Sequence, residues 1–92
     1  MAVPSIPDKK NPRWQFGRRL VDLRKREGLS QEQLALRSGL ARSYLGGVER
    51  GQRNIALLNI CRLAVTLGVA PGELLVFSQA LGPIDSWMLE KD

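Results

Sequence analysis

The sequence predicts an all-α domain of five short helices, on three grounds. Apolar residues recur at helical spacing, as Phe16, Leu20 and Leu23 do at i, i+4 and i+7. Capping residues or prolines stand where helices should begin, and glycines stand where they should stop. A chain of 92 residues is long enough for one compact helical core and leaves no room for a separate effector domain.

Residues 1–11 contain Pro4 and Pro7, lack apolar periodicity, and read as a flexible arm. Lys9 and Lys10 in it are either solvated or in reach of a phosphate or minor groove. Asn11-Pro12 opens the first helix, with asparagine as N-cap and proline at N1, where its missing N–H costs nothing. This helix runs to about Glu27, and Gly28 stops it. Arg13, Arg18, Arg19, Lys25 and Arg26 fill its remaining surface, most as a solvated basic face with some in reach of a phosphate, and Trp14 falls outside the core stripe.

Ser30 followed by Gln33 forms a capping box for the second helix, and Leu34 and Ala35 supply its inward face. Gly39 ends it, since only glycine enters the left-handed conformation without steric cost. The third helix spans about Arg42 to Arg50, with Gly51 at the position of a C′ glycine. Ala41 offers no side-chain acceptor at its N-cap, a loss of about 1 kcal/mol. A polar loop, residues 51–54, leads to a fourth helix from about Ala56 to Leu67. Its broad apolar face carries Leu57, Ile60, Cys61, Leu63, Ala64 and Leu67. Pro71 at N1 begins a fifth helix to about Phe77, anchored by Leu74 and Leu75. After the Gly82-Pro83 break, Ile84, Trp87, Met88 and Leu89 fit one or two further helical turns, capped by Asp85 or Ser86. These apolar residues require burial, on this domain or on a second copy. The chain thus divides into an arm (1–11), a helical domain (12–77) and an extension (78–92).

Charge narrows the partner. The chain has 14 Lys and Arg against 9 Asp and Glu, and the charges are segregated. Between Lys9 and Arg62 the net charge is +9, whereas from Thr66 onward it is −3. A basic body is the electrostatic layout for phosphates. The lone Cys61 cannot form an internal disulfide, and without histidine no zinc site is expected. Cys61 reads as a small buried core residue. The same lack of histidine leaves no clustered nucleophile and base, so neither enzymatic activity nor a cofactor is expected. No signal peptide or long apolar run is present, which predicts a soluble, cytoplasmic protein with no membrane contact.

On a helical wheel, the third helix turns Leu45 and Val48 to the core, with Tyr44 at the margin. Arg42, Ser43, Gly46, Gly47 and Arg50 form the opposite face. The glycine pair costs roughly 2 kcal/mol of helix propensity. Two readings stand: bare backbone that approaches a ligand closely, or drift at positions that touch nothing.

The spacing of Ala35, Gly39, Leu45 and Val48 within SQEQLALRSGLARSYLGGVER resembles the lambda repressor/Cro-like (XRE-type) helix-turn-helix family. The resemblance runs from about Phe16 to Leu75 and implies double-stranded DNA as the partner. The third helix is then the recognition helix, and Arg42 and Ser43 match the base-contacting pair. Arginine bidentate to guanine discriminates by about 1–3 kcal/mol; the alternative for Arg42 is a phosphate contact alone. Gly46, Gly47 and Arg50 share the groove face. Gln31 matches a phosphate-binding glutamine at a helix N-terminus, and Arg53 and Asn54 match the loop that lies against the sugar-phosphate backbone. Arg37 is either a DNA contact or a partner of its own helix dipole. Arg24 and Glu49 match an ion pair joining the first helix to the recognition helix; an exposed pair of that kind is worth only about 0–1 kcal/mol.

The segment RSYLGGVERGQRNIALLNICRLA is most similar to restriction–modification controller proteins. The expected function is a transcriptional regulator acting as a homodimer on a (pseudo)palindromic operator, because one short helix reads too few bases. Val76, Phe77, Ile84, Trp87 and Leu89 are the expected dimer contact, and no small-molecule effector is expected. Phage repressors and antitoxin-type regulators are alternatives within the class. A protein-interaction adaptor with an incidental basic face is the alternative outside it.

Overall fold

The computed structural model describes residues 8–88. Among them lie four α-helices: α1 (Pro12–Arg26), α2 (Gln31–Ser38), α3 (Arg42–Glu49) and α4 (Leu57–Leu67). Two 3-10 helices follow, Pro71–Leu75 and Ile84–Ser86, and the described residues contain no strand. None of these helices is long and apolar enough to cross a membrane.

The all-helical class therefore stands, but the count of five α-helices is corrected to four. The segment expected as a fifth helix to Phe77 is a 3-10 helix that ends at Leu75. Its bonds are of the short i to i+3 kind, Glu73 N–H to the Ala70 carbonyl at 2.9 Å and Val76 N–H to the Glu73 carbonyl at 3.4 Å. A segment this short, with Gly72 inside it, leaves an α-helix almost all unsatisfied ends, and the tighter turn pairs them sooner. The extension likewise makes one 3-10 turn, in which the Ser86 hydroxyl donates back to the Pro83 carbonyl at 2.7 Å.

Local chemistry sets the starts of α1 and α2. The Asn11 side chain accepts from Arg13 N–H at 2.9 Å. Both halves of the Ser30–Gln33 capping box form, at 3.1 and 2.9 Å. Gly39, at φ 76°, ends α2, and Leu40 N–H then folds back to the Ala35 carbonyl at 3.1 Å. α3 and α4 start at Ala41 and Ala56 without a side-chain cap.

Leu20, Leu34, Leu45, Leu63 and Leu74 are fully buried, one from each of α1 to α4 and the Pro71–Leu75 turn. Burying each side chain stabilises the fold by about 1.5–3 kcal/mol. α1 packs on α3 and on this turn, while α4 packs on α2 and the same turn. Three expectations about the core are corrected. Leu57 is 71% exposed, Leu75 is 52% exposed, and Cys61 is half-buried rather than buried. The apolar arc of α4 is wider than the neighbouring elements cover, and only Leu63, Ala64 and Leu67 are buried.

The stretch just before α1 is tied down. The Gln15 amide donates to the Lys9 carbonyl at 2.7 Å, and Gly82 N–H donates to the Lys10 carbonyl at 3.1 Å. Residues 8–11 thus join α1 to the extension; the rest of the expected arm, residues 1–7, lies outside the described residues.

Candidate nucleic-acid interface

α3 has eight residues, too few to be stable alone, so its orientation depends on what it packs against. Leu45 and Val48 anchor it in the core. Tyr44 is half-buried, and its hydroxyl accepts from the Asn59 amide of α4 at 3.2 Å. Arg42, Ser43 and Arg50 are exposed on the other side.

α1 clamps the end of this helix. A Cβ on Gly17 would lie 2.5 Å from the Glu49 carbonyl oxygen and 2.7 Å from that of Val48, so only glycine permits this approach. One turn of the contact is completed by Arg18, whose Nη2 donates to the Glu49 carbonyl at 2.9 Å. A helix leaves its last carbonyls without internal partners, and this guanidinium satisfies one of them. Arg18 also lies 5.8 Å above the Trp14 ring, which places the tryptophan that fell outside the core stripe. Trp14 in turn abuts Gly51, just past the end of α3.

Glu49 is the hub. Its carboxylate is only 3% exposed, and it accepts from Arg24 Nε at 2.6 Å and Arg24 Nη2 at 3.0 Å. The Gln31 amide adds a third donor at 2.6 Å, and Arg24 Nη1 spans to the Leu29 carbonyl at 2.9 Å. A buried carboxylate is tolerable only when it is paired and its lone pairs are filled, and here α1 and α2 supply the donors. This is no exposed ion pair: it ties α1, α2 and α3 together.

The two glycines of α3 are buried, not bare. At Gly46, a Cβ would meet Arg42 Nη1 at 3.0 Å and Arg50 Nη1 at 3.1 Å, with Gln31 Oε1 at 3.8 Å. At Gly47, a Cβ would meet Arg53 Cγ at 3.0 Å. Arginine side chains therefore lie over the backbone that the sequence reading left open. Arg50 also donates to the Gln52 side chain at 3.0 Å.

Arg37 is exposed in the last turn of α2, and Arg53 and Asn54 are exposed in the loop after α3. The residues expected to form a dimer contact separate into two kinds. Phe77 packs against the domain's own core, and half-buried Trp87 donates from Nε1 to the Gly82 carbonyl at 3.2 Å. Val76 and Ile84 remain 54% and 61% exposed. Leu89 lies outside the described residues.

Residues 20–74, from the middle of α1 to the Pro71–Leu75 turn, match the helix-turn-helix family HTH_3. The chain belongs to this family. The helix-turn-helix itself is α2, the Gly39 turn and α3. Control protein C.BamHI of Bacillus amyloliquefaciens is 41% identical over 69 residues, 74% of this chain and 85% of that protein. The crystal structure of the restriction–modification controller protein C.AhdI from Aeromonas hydrophila has 60% sequence identity and a TM-score of 0.66, covering 67% of this chain and 94% of that one. A crystal structure of SinR, a master regulator for biofilm formation, in complex with DNA is 33% identical with a TM-score of 0.63, covering 65% of this chain and 97% of that one.

Sequence reasoning missed Gly17 and Arg18 as supports of α3. A signal for Gly17 existed: glycine inside a helix costs about 1 kcal/mol and often marks a close approach. Nothing local distinguishes Arg18 from its basic neighbours.

Proposed function

We propose that this helix-turn-helix protein is a sequence-specific DNA-binding transcriptional regulator of the restriction–modification controller kind. It acts as a homodimer on a (pseudo)palindromic operator, in the cytoplasm where that DNA lies, and it is a binding protein rather than an enzyme. The observation that carries the reading is α3: a short helix locked to α1 and α2 through buried Glu49, with Arg42, Ser43 and Arg50 exposed on its outer face. The names of C.BamHI and C.AhdI support the controller assignment, and the SinR complex supports DNA as the partner.

In this reading Arg42 and Ser43 reach base edges from the N-terminal end of α3, and Gly46, Gly47 and Arg50 belong to the same groove-facing surface. Arg53 and Asn54 in the loop after α3, and Arg37 at the end of α2, contact phosphates. Gln31 spends one amide N–H on Glu49, which leaves the second for a phosphate oxygen at the N-terminus of α2. The exposed apolar side chains of Leu75, Val76 and Ile84 are placed by this reading in a contact with a second copy. Phe77 and Trp87 flank that contact in the reading.

The test is selection of duplexes from a random pool by the purified protein, followed by salt titration on the enriched duplex. A regulator enriches a two-fold-related sequence with half-sites about one helical turn apart, and log K falls steeply with log salt. Recovery of no common sequence, with affinity indifferent to salt, refutes the reading.

A further inference from the structure

Gly46 sits midway between Arg42 and Arg50 on one stripe of α3, at i, i+4 and i+8. Side chains at such positions ordinarily stand over their own turns and keep apart. Here both guanidinium heads bend toward the glycine, each Nη1 within 3.1 Å of the point a Cβ would occupy, so the two nitrogens are within about 6 Å of each other. A methyl group there would be tighter than ordinary van der Waals contact with both. The third group at this point is Gln31 Oε1, at 3.8 Å.

The orientation of that amide follows from its other end. Gln31 Nε2 is held 2.6 Å from Glu49 Oε1, and a carboxylate accepts but does not donate. Rotating the amide would set oxygen against oxygen, so Oε1 must face the notch. An acceptor is thus fixed beside two converging cations. Glu49 itself is fixed by Arg24, which makes the position of the Gln31 oxygen a consequence of the buried hub.

We propose that Gly46 is a specificity-determining residue that acts through Arg42 and Arg50: its missing side chain lets both guanidinium groups gather over one spot beside the Gln31 oxygen, forming a single donor cluster for the acceptor-rich edge of guanine. The glycine is a positioning residue and makes no base contact of its own, because the arginine heads cover it. Guanine offers O6 and N7 side by side in the major groove, and converging N–H groups suit that pair or two adjacent guanines. The inference rests on the DNA-reading function above and names what that surface recognises.

The experiment uses two duplexes: the sequence enriched by the wild-type protein from a random pool, and a scrambled duplex of the same composition. Gly46→Ala is measured in the wild-type chain and again in a chain already carrying Arg42→Ala and Arg50→Ala. In the wild-type chain it is expected to weaken the selected duplex roughly tenfold, within the range of one bidentate base contact, and the scrambled duplex by less than about twofold. Its melting temperature should rise, because alanine is the better helix former, so the loss is not misfolding. In the arginine-less chain the same substitution should change the selected-duplex affinity by less than about twofold, and the wild-type selection should enrich guanine at the contacted step. A full loss that persists without the arginines shows that the Gly46 backbone itself meets the DNA and overturns the proposal. No loss in the wild-type chain overturns it too, since the heads then rearrange freely. If the wild-type protein enriches no sequence, the DNA-reading function falls first and takes this inference with it.

Discussion

Replacing Arg24 by alanine should unfold this protein more readily than any surface charge change, and the size of the effect follows from Glu49. The carboxylate is 3% exposed and the Arg24 side chain 11% exposed. Truncating Arg24 deletes two of the three donors to that carboxylate and the bond to the Leu29 carbonyl. Gln31 alone then faces a buried charge. Breaking a buried pair in this way costs about 3–5 kcal/mol, and residual water access at the Arg24 site argues for the lower end, about 3 kcal/mol. In a domain of this size that lowers Tm by roughly 12–24 °C. Glu49→Ala should cost less, roughly 1.5–2 kcal/mol, because an unpaired arginine can swing its head to solvent while a carboxylate on α3 cannot. The double variant should then lie well short of the sum, with a coupling of about 2 kcal/mol. Urea unfolding of the four proteins, followed by far-ultraviolet circular dichroism, measures it. Coupling below about 0.5 kcal/mol would mean that the two residues act independently, and the hub described above would be wrong.

Four further outcomes are expected. Gly17→Ala places a Cβ against two backbone carbonyls of α3, so it should cost about 2–3 kcal/mol of stability despite better helix propensity; an unchanged thermal melt would show that α1 and α3 separate freely. Ala41→Ser restores an N-cap at α3 and should stabilise by about 0.5–1 kcal/mol, and no rise in the urea midpoint would show that the start of α3 is capped another way. Arg42→Ala should weaken binding to the selected duplex more than to random DNA; equal losses, measured by competition binding, would assign it to phosphate. Deleting residues 78–92 should shift the protein toward monomer in sedimentation equilibrium, and an unchanged dimer would move the interface to the exposed Leu75 and Val76.

The starts of α1 and α2, and the glycine stops of all four helices, were legible in the sequence because capping is local chemistry. Ser30 and Gln33 bond each other across three residues, and the left-handed turn at Gly39 needs nothing beyond its own backbone. The face of α3 that carries Arg42, Ser43 and Arg50 was legible for the same reason, since a helical period assigns residues to arcs without any neighbour. That reasoning overreached at Pro71–Leu75, where the signals for a helix start were right but the segment was too short for α-type bonds.

Only the tertiary structure decided what covers each arc. Leu57 and Leu75 share an apolar face with buried residues yet stay exposed, because coverage depends on the width of the neighbouring element. Arg18 and Glu49 lie 31 positions apart, Arg24 and Glu49 25 apart, and Gln31 and Glu49 18 apart. No local period links such pairs; the packing of α1 and α2 on α3 brings them together, and the approach of α1 is possible because Gly17 has no side chain. The outward arc of Arg42, Ser43 and Arg50 was therefore written in the helical repeat, while the packing of three helices around one buried carboxylate determined how that arc is held.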